Sequence, residues 1–120
     1  MRIRLLIISV SLLASACYYD KEAILYPETN CVPPASPSYQ ADVVPVMNQF
    51  CVSCHSGNFA SAGVKLDSYT EVMKYVNNGQ LVGTITWASG YSPMPKNGNK
   101  LSSCNISKIQ AWIAAGSPNN

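Results

Sequence analysis

The stretch Cys51-Val52-Ser53-Cys54-His55 decides how the rest of this 120-residue chain is interpreted, and it holds the only histidine of the sequence. Cysteines three positions apart lie on the same side of one helical turn, so both thiols can reach one edge of a flat ring. The adjacent histidine can then offer a ring nitrogen to a metal in that ring. The order C-x-x-C-H is the attachment sequence of c-type haem. It predicts one covalent haem c, held through Cys51 and Cys54, with His55 as an iron ligand.

Three other interpretations of the cysteines are open on the sequence alone. Four thiolates, from Cys31, Cys51, Cys54 and Cys104, would suit a zinc ion, although His55 would then have no role. A thiol–disulfide oxidoreductase would carry its C-x-x-C where a strand meets a helix, and strand signals are nearly absent here. A plain disulfide between the two motif cysteines of a structural lipoprotein is the third interpretation. Haem alone accounts for the histidine.

The second axial ligand of the iron has to come from elsewhere, because the chain has no second histidine. Met47 and Met73 fall on apolar helix faces, where methionine usually fills the core. Met94 lies instead in Tyr91-Ser92-Pro93-Met94-Pro95. Two prolines fix backbone angles there, which suits a loop that must present one sulfur atom rigidly. The sequence therefore predicts Met94 as the second iron ligand, and a buried loop residue is the alternative.

Helical periodicity is the dominant pattern on both sides of the motif. Apolar residues at helical spacing mark three segments, namely Val43, Val46, Met47 and Phe50, then Tyr69, Val72, Met73 and Val76, and finally Ile106, Ile109 and Ile113 with Trp112 beside them. A short helix is expected at about 81–87, and the last helix is expected at 103–115. The chain is therefore predicted to be all-α, with three to four helices around the haem in a domain of residues 39–120.

Residues that favour helix ends lie at the borders of these segments. Pro45 suits the first turn of the first helix, where its missing N–H costs little. Ser68 and Glu71 have the spacing of a capping box at the start of the second helix. Gly79 is expected to end that helix.

Residues 1–16 have the order of a secretory signal peptide, with a basic start, a mostly apolar run and then small residues. Ala14-Ser15-Ala16 leads directly into Cys17 and resembles a bacterial lipobox, although the position three before the cysteine is usually leucine. Cys17 is therefore expected to receive lipid and to anchor the mature chain in a membrane. The alternative is an ordinary signal peptide followed by an unrelated cysteine.

Residues 17–38 contain four prolines and no sustained apolar periodicity, which predicts an extended membrane tether. The chain is expected to be exported, with its haem domain in the periplasm or at the cell surface. Tyr18 follows Cys17 in place of the aspartate that retains lipoproteins in some inner membranes. The outer membrane is therefore favoured over the inner one.

Cys31 and Cys104 have no role in either haem or lipid attachment. Because disulfides persist in exported proteins, we expect one that joins the end of the tether to the start of the last helix. Free thiols and intermolecular bonds are the alternatives.

The formal charge of +2 belongs to the signal peptide. Arg2 and Arg4 are two of the eight Lys and Arg residues, so six basic residues face six acidic ones in the predicted mature chain. A neutral chain without a basic cluster lacks the electrostatic footprint of a nucleic-acid binder. No nucleic-acid partner is therefore expected.

These features together resemble a class I monohaem c-type cytochrome over most of the predicted mature chain. The resemblance rests on the C-x-x-C-H after a first helix, the Met94-Pro95 loop and the closing helix with Ala111-Trp112-Ile113. With Leu66-Asp67-Ser68-Tyr69, these segments are similar to small Bacteroidota-type cytochrome c lipoproteins. In that family the first and last helices cross beside the haem, which implies that their apolar faces touch.

The resemblance and the ligand set imply electron transfer rather than enzymatic catalysis. Iron bound by both His55 and Met94 has no open position for a substrate, and this ligation raises the reduction potential. The expected partners are a redox donor and a redox acceptor. The protein itself is expected to be a monomer or to form transient complexes. Two alternatives are a haem-based gas sensor in which Met94 is labile and a haem subunit of a larger oxidoreductase.

Overall fold

The structure is a computed structural model, and it describes residues 31–120. The predicted signal peptide, residues 1–16, and the predicted lipidation residue Cys17 lie outside the described residues, as does the predicted tether up to residue 30. Within residues 31–120 the regular structure is helical, with no strand. The all-α prediction is confirmed for this part of the chain.

Four α-helices and three short helical segments make up the described part of the chain. The helices are α1 (Val44–Phe50), α2 (Tyr69–Asn77), α3 (Gln80–Ile85) and α4 (Ser103–Ala114). A π-helical segment, Tyr39–Val43, runs directly into α1, and two 3₁₀ turns, Gly57–Phe59 and Ser61–Gly63, lie between α1 and α2. The short and the last helix lie within two residues of their predicted ends.

Serine side chains cap three of the helical starts, and one of these caps is Ser102, whose Oγ accepts the Asn105 N–H at 3.2 Å before α4. Ser38 Oγ accepts the Ala41 N–H at 3.3 Å before the π-helical segment, and Ser68 Oγ accepts the Glu71 N–H at 3.3 Å before α2. Each bond satisfies a backbone donor that the helix leaves free. The predicted capping box is only half formed, because the Glu71 carboxylate turns to Lys74 and accepts from its ammonium group at 2.7 and 2.8 Å.

Proline and glycine lie where their backbone preferences require them. Pro45 occupies the first turn of α1, as predicted. Gly79 follows α2 with a φ of 75° and at the same time precedes the first residue of α3. A residue with a side chain would be strained in that left-handed conformation, so the glycine allows the chain to leave one helix and enter the next within two residues.

The predicted apolar faces form the core. Its buried members are Tyr39, Val43, Val46, Met47, Leu66, Val72, Leu81, Ile85, Leu101, Ile109 and Trp112. Val43 and Ile109 are fully buried, and α4 packs on the π-helical segment. The first and last helical segments therefore touch, and the contact involves the residues just before α1.

Three aromatic rings from three different segments meet in the core. The ring centroids of Tyr39 and Tyr69 lie 5.1 Å apart, and that of Trp112 lies 5.4 Å from the first and 6.3 Å from the second. The Tyr69 hydroxyl donates to the Ser117 carbonyl at 2.8 Å, and the Trp112 indole N–H donates to the Pro118 carbonyl at 2.9 Å. This aromatic cluster joins the π-helical segment, α2 and α4, and the Tyr69 hydroxyl and the Trp112 indole both have hydrogen-bond partners.

Residues after α4 return to the start of the helical domain. The Asn120 carbonyl accepts from the Gln40 N–H at 3.0 Å and from Ser38 Oγ at 2.8 Å. Its side-chain oxygen accepts the Tyr39 N–H at 3.0 Å. These bonds satisfy two amides that have no partner within the first helical turn.

Cys31 and Cys104 lie at disulfide-bonding distance, with Cα atoms 5.2 Å apart across 73 positions of sequence. The pair connects the first described residue to the first turn of α4. It ties the end of the predicted tether to the helical domain.

Replacing both cysteines of this pair by alanine should lower the free energy of unfolding, because the crosslink restricts a long loop in the unfolded chain. The loss should be at most roughly 4 kcal/mol for a loop of this length, measured by urea denaturation. Added reductant should destabilise the unmodified protein and leave the C31A/C104A variant unchanged. Equal sensitivity of both proteins to reductant would contradict the pairing.

Candidate haem-binding site

The attachment motif forms a separate turn directly after α1. The N–H groups of Cys51 and Val52 both donate to the Met47 carbonyl at 2.9 Å, and this shared acceptor marks the end of the helix. The Cys51 carbonyl then accepts from Cys54 at 3.1 Å and from His55 at 2.9 Å. A single helical turn therefore contains both thiols and the imidazole, as the spacing predicts, although α1 itself ends at residue 50.

The His55 ring is held in one tautomer by a backbone carbonyl. Its Nδ1 lies 3.1 Å from the Val64 carbonyl oxygen. Because a carbonyl can only accept, Nδ1 must carry the proton, and the lone pair of Nε2 stays available for a metal. The His55 carbonyl accepts the Leu66 N–H at 2.8 Å, so side chain and backbone both bind the same returning segment.

The loop between His55 and α2 is fixed to the motif by one further bond and is closed on itself by another. The Ser61 N–H donates to the Cys54 carbonyl at 2.9 Å, and the Gly57 N–H donates to the Asp67 carboxylate at 2.8 Å. The two 3₁₀ turns follow from this tight path. Ser61 and Ala62 thereby reach the wall of the cavity next to the motif.

A cavity of about 510 Å³ lies between the motif, α3 and the proline loop. Its apolar wall comes mainly from Phe50, Val64, Leu66, Leu81, Ile85 and Leu101. The predicted site residues Cys51, Cys54, His55 and Met94 all line it. Its volume and lining are typical of a small-molecule or cofactor site. Two thiols, a free imidazole nitrogen and a thioether in one apolar cavity are the donor set that a covalent haem requires, so the residues fit the predicted group.

Met94 is partly buried, and both of its backbone groups are anchored to the segment around the end of α3. The Met94 N–H donates to the Thr84 carbonyl at 3.1 Å, and the Met94 carbonyl accepts the indole N–H of Trp87 at 2.8 Å. The sequence gives no signal for the Trp87 contact, because the intervening residues have no periodicity. The sequence alone leaves the role of Trp87 open between contact with the cofactor and plain core packing.

Tyr91 packs flat on α3 where that helix has no side chain. A Cβ atom built on Gly83 would lie 2.5 Å from Cγ and Cδ1 of the Tyr91 ring. Gly83 is buried, and its carbonyl accepts the Ala88 N–H at 2.9 Å, which begins the turn towards the proline loop. Glycine disfavours a helix, so the sequence gives no reason for Gly83 in α3. The structure supplies the reason, because the Tyr91 ring occupies the place that a side chain would take.

The two motif thiols differ in environment and are not bonded to each other. Cys54 is exposed, whereas Cys51 is half-buried, and this burial raises the pKa of its thiol to about 11. Within residues 31–120 no group of three or more histidine, cysteine, aspartate or glutamate side chains gathers that could hold a metal ion. The other two cysteines lie at disulfide distance from each other, so the geometry does not assemble the four-thiolate zinc alternative.

Comparison of the chain with protein-family models, with curated proteins and with solved structures found no match. Among the helices of residues 31–120, none has both the length and the apolar character needed to cross a bilayer. The candidate site therefore rests on its own residues and contacts.

Replacing Gly83 with alanine should destabilise the protein by about 1–3 kcal/mol, because the new methyl group overlaps the Tyr91 ring. In a Tyr91→Ala background the same replacement should instead be neutral or stabilising, since alanine favours a helix by about 1 kcal/mol over glycine. Urea denaturation of the four proteins of this double-mutant cycle measures the coupling. Equal costs in both backgrounds would show that the ring does not occupy this place.

Proposed function

We propose that this chain is a c-type cytochrome that carries one covalent haem and transfers single electrons. Cys51 and Cys54 are its attachment residues, and His55 and Met94 are its axial ligands. The observation that supports this most strongly is that Met94, from a distant loop, lines the same apolar cavity as Cys51, Cys54 and His55 of the motif. The proposed architecture is a small cytochrome c fold, in which the cofactor completes a core that the helices leave open.

Each side chain has a defined task in this proposal. The thiols of Cys51 and Cys54 would each add across one vinyl group of the ring, with the sulfur on one vinyl carbon and the thiol hydrogen on the other. His55 donates its Nδ1–H to Val64 and thereby presents Nε2 to the iron. Met94 supplies a neutral thioether from a loop anchored on α3. When bound, the haem iron supplies one-electron redox chemistry between its ferrous and ferric states.

The lining of the cavity suits electron transfer. Leucine, isoleucine, valine and phenylalanine side chains keep water from the iron, which favours the less charged state of the metal. Lys96 is the one charged residue of the lining in the described part of the chain, and it lies at an exposed position beside the Met94 loop. With both axial positions filled by protein, the role is that of an electron carrier rather than an enzyme.

The place of this carrier in the cell follows from the N-terminal sequence. A lipid on Cys17 would hold the protein in the cell envelope, with the outer membrane favoured, and the proline-rich tether would separate the haem domain from the bilayer. From there the domain would meet a redox donor and a redox acceptor in transient complexes.

The proposal predicts haem colour that stays with the polypeptide. The purified protein should keep its haem absorption after extraction with acidified organic solvent, because thioether bonds survive that treatment. The C51A/C54A variant should lose its colour in the same step. The C31A/C104A variant is the matched control and should keep it, since its two cysteines lie outside the haem cavity. A colourless unmodified protein would overturn the proposal.

Carbon monoxide separates the electron carrier from a gas sensor. In the time that carbon monoxide takes to saturate the Met94→Ala variant, it should leave the ferrous spectrum of the unmodified protein unchanged, because Met94 would hold the position that it needs, and only slow binding should follow. The Met94→Ala variant should bind it readily. Rapid binding by the unmodified protein would instead indicate a sensor in which Met94 is labile.

Replacing Cys17 with serine should move the protein from the membrane fraction to the soluble fraction of the envelope, because the chain would lose its only acylation site. Membrane fractionation followed by haem detection measures this change. Cys31→Ser is the control and should stay with the membrane. A C17S protein that remains membrane-bound would refute lipid anchoring and would leave the haem proposal intact.

A further inference from the structure

Trp87 holds a backbone conformation that bulky side chains avoid. Its φ is 59°, in the left-handed region, although the residue directly follows the end of a helical turn and is not a glycine. The conformation is maintained by two bonds of the turn, from the Trp87 N–H to the Thr84 carbonyl at 3.3 Å and from the Ala88 N–H to the Gly83 carbonyl at 2.9 Å. Such strain persists only where the surrounding structure requires it.

The result of this turn is a contact with the proposed iron ligand. In this left-handed conformation, Trp87 donates its indole N–H to the Met94 carbonyl at 2.8 Å. Trp87 as a whole residue is 42 % exposed, so burial of apolar surface does not account fully for its position. The hydrogen bond to Met94 is the specific contact that the strained turn makes possible.

We propose that Trp87 is a positioning residue that controls how firmly Met94 stays on the haem iron. This inference rests on the proposed function. Met94 is held at its N–H by Thr84 and at its carbonyl by Trp87, and Thr84 also lines the cavity. The two bonds close residues 84–94 into one loop, one through the N–H of Met94 and the other through its carbonyl. Without the indole bond, the Met94 backbone would keep only its amide bond to the Thr84 carbonyl.

The size of the expected effect follows from the strength of one hydrogen bond. Loss of a hydrogen bond of ordinary net strength changes an equilibrium about 3- to 10-fold. Removal of the indole N–H should therefore raise the fraction of molecules with Met94 detached by that factor. Because carbon monoxide binds only to the detached form, its observed binding rate should rise by the same factor.

The experiment compares two variants of the haem-loaded full chain that lose the same chemical group. Trp87→Phe removes an indole N–H that binds a carbonyl at 2.8 Å, and Trp112→Phe removes one that binds the Pro118 carbonyl at 2.9 Å in the core. Ser92→Ala is a second control, because it removes the contact with Lys96 at 3.4 Å within the same loop. Carbon monoxide binding to the ferrous protein, the midpoint potential and the thermal midpoint are measured for each.

The proposal expects faster carbon monoxide binding, by about 3- to 10-fold, in Trp87→Phe, and the unmodified rate in the controls. Trp112→Phe should lower the thermal midpoint without changing that rate. Should Trp112→Phe fail to fold, Ser92→Ala provides the comparison. The Met94→Ala variant gives the upper limit of the rate.

Two results would overturn the inference. A Trp87→Phe protein with unmodified carbon monoxide binding would refute the positioning role even if its midpoint potential shifts, a pattern that indicates an indole bond to the haem itself. In that case the protein still carries covalent haem, so the proposed function survives. A colourless unmodified protein, in contrast, overturns the proposed function and this inference together.

Discussion

The contact among Tyr39, Tyr69 and Trp112 is the constraint on which the rest of this small domain depends. Each ring comes from a different helical segment, and aromatic pairs at such distances contribute about 0.5–1.5 kcal/mol each beyond the area that they bury. The Tyr69 hydroxyl and the Trp112 indole donate to backbone carbonyls after α4, and the Tyr39 N–H donates to the side-chain oxygen of Asn120, so the last residues lie against the first helical turn. The helices can therefore leave a large cavity elsewhere, because their mutual orientation is set by this cluster.

The helices and the members of the site could be predicted because both depend on local pattern. Val43 and Ile109 are fully buried on the faces that their spacing indicates, since covering one face of a helix largely decides its place. One turn contains Cys51, Cys54 and His55, because residues so close in sequence cannot lie far apart in space. Met94 differs from Met47 and Met73 because it lies between two prolines in a loop, and it lines one cavity with the motif.

The contacts that orient the ligands could not be predicted, because they depend on the path of loops without periodicity. Val64 is nine positions beyond His55, and no pattern in the intervening residues indicates that its carbonyl returns to the imidazole. Tryptophan rarely adopts the left-handed conformation that Trp87 has, so the sequence instead predicts a helix that continues to about residue 87. The role of Gly83 could not be predicted either, because glycine is a poor helix former and the sequence does not show that the Tyr91 ring packs on it.

The two halves of the candidate site are held by separate sets of hydrogen bonds. The motif side is closed by bonds between residues 54–55 and 61–66, and the Met94 side by bonds to residues 84–87. The two sets share no residue, and the segments meet at the cavity that both of them line. A change in the Met94 loop can therefore disturb the Met94 side without affecting the bonds that orient His55. In the proposed cytochrome, the motif side would hold the haem, and the Met94 side would set how firmly the methionine stays on the iron.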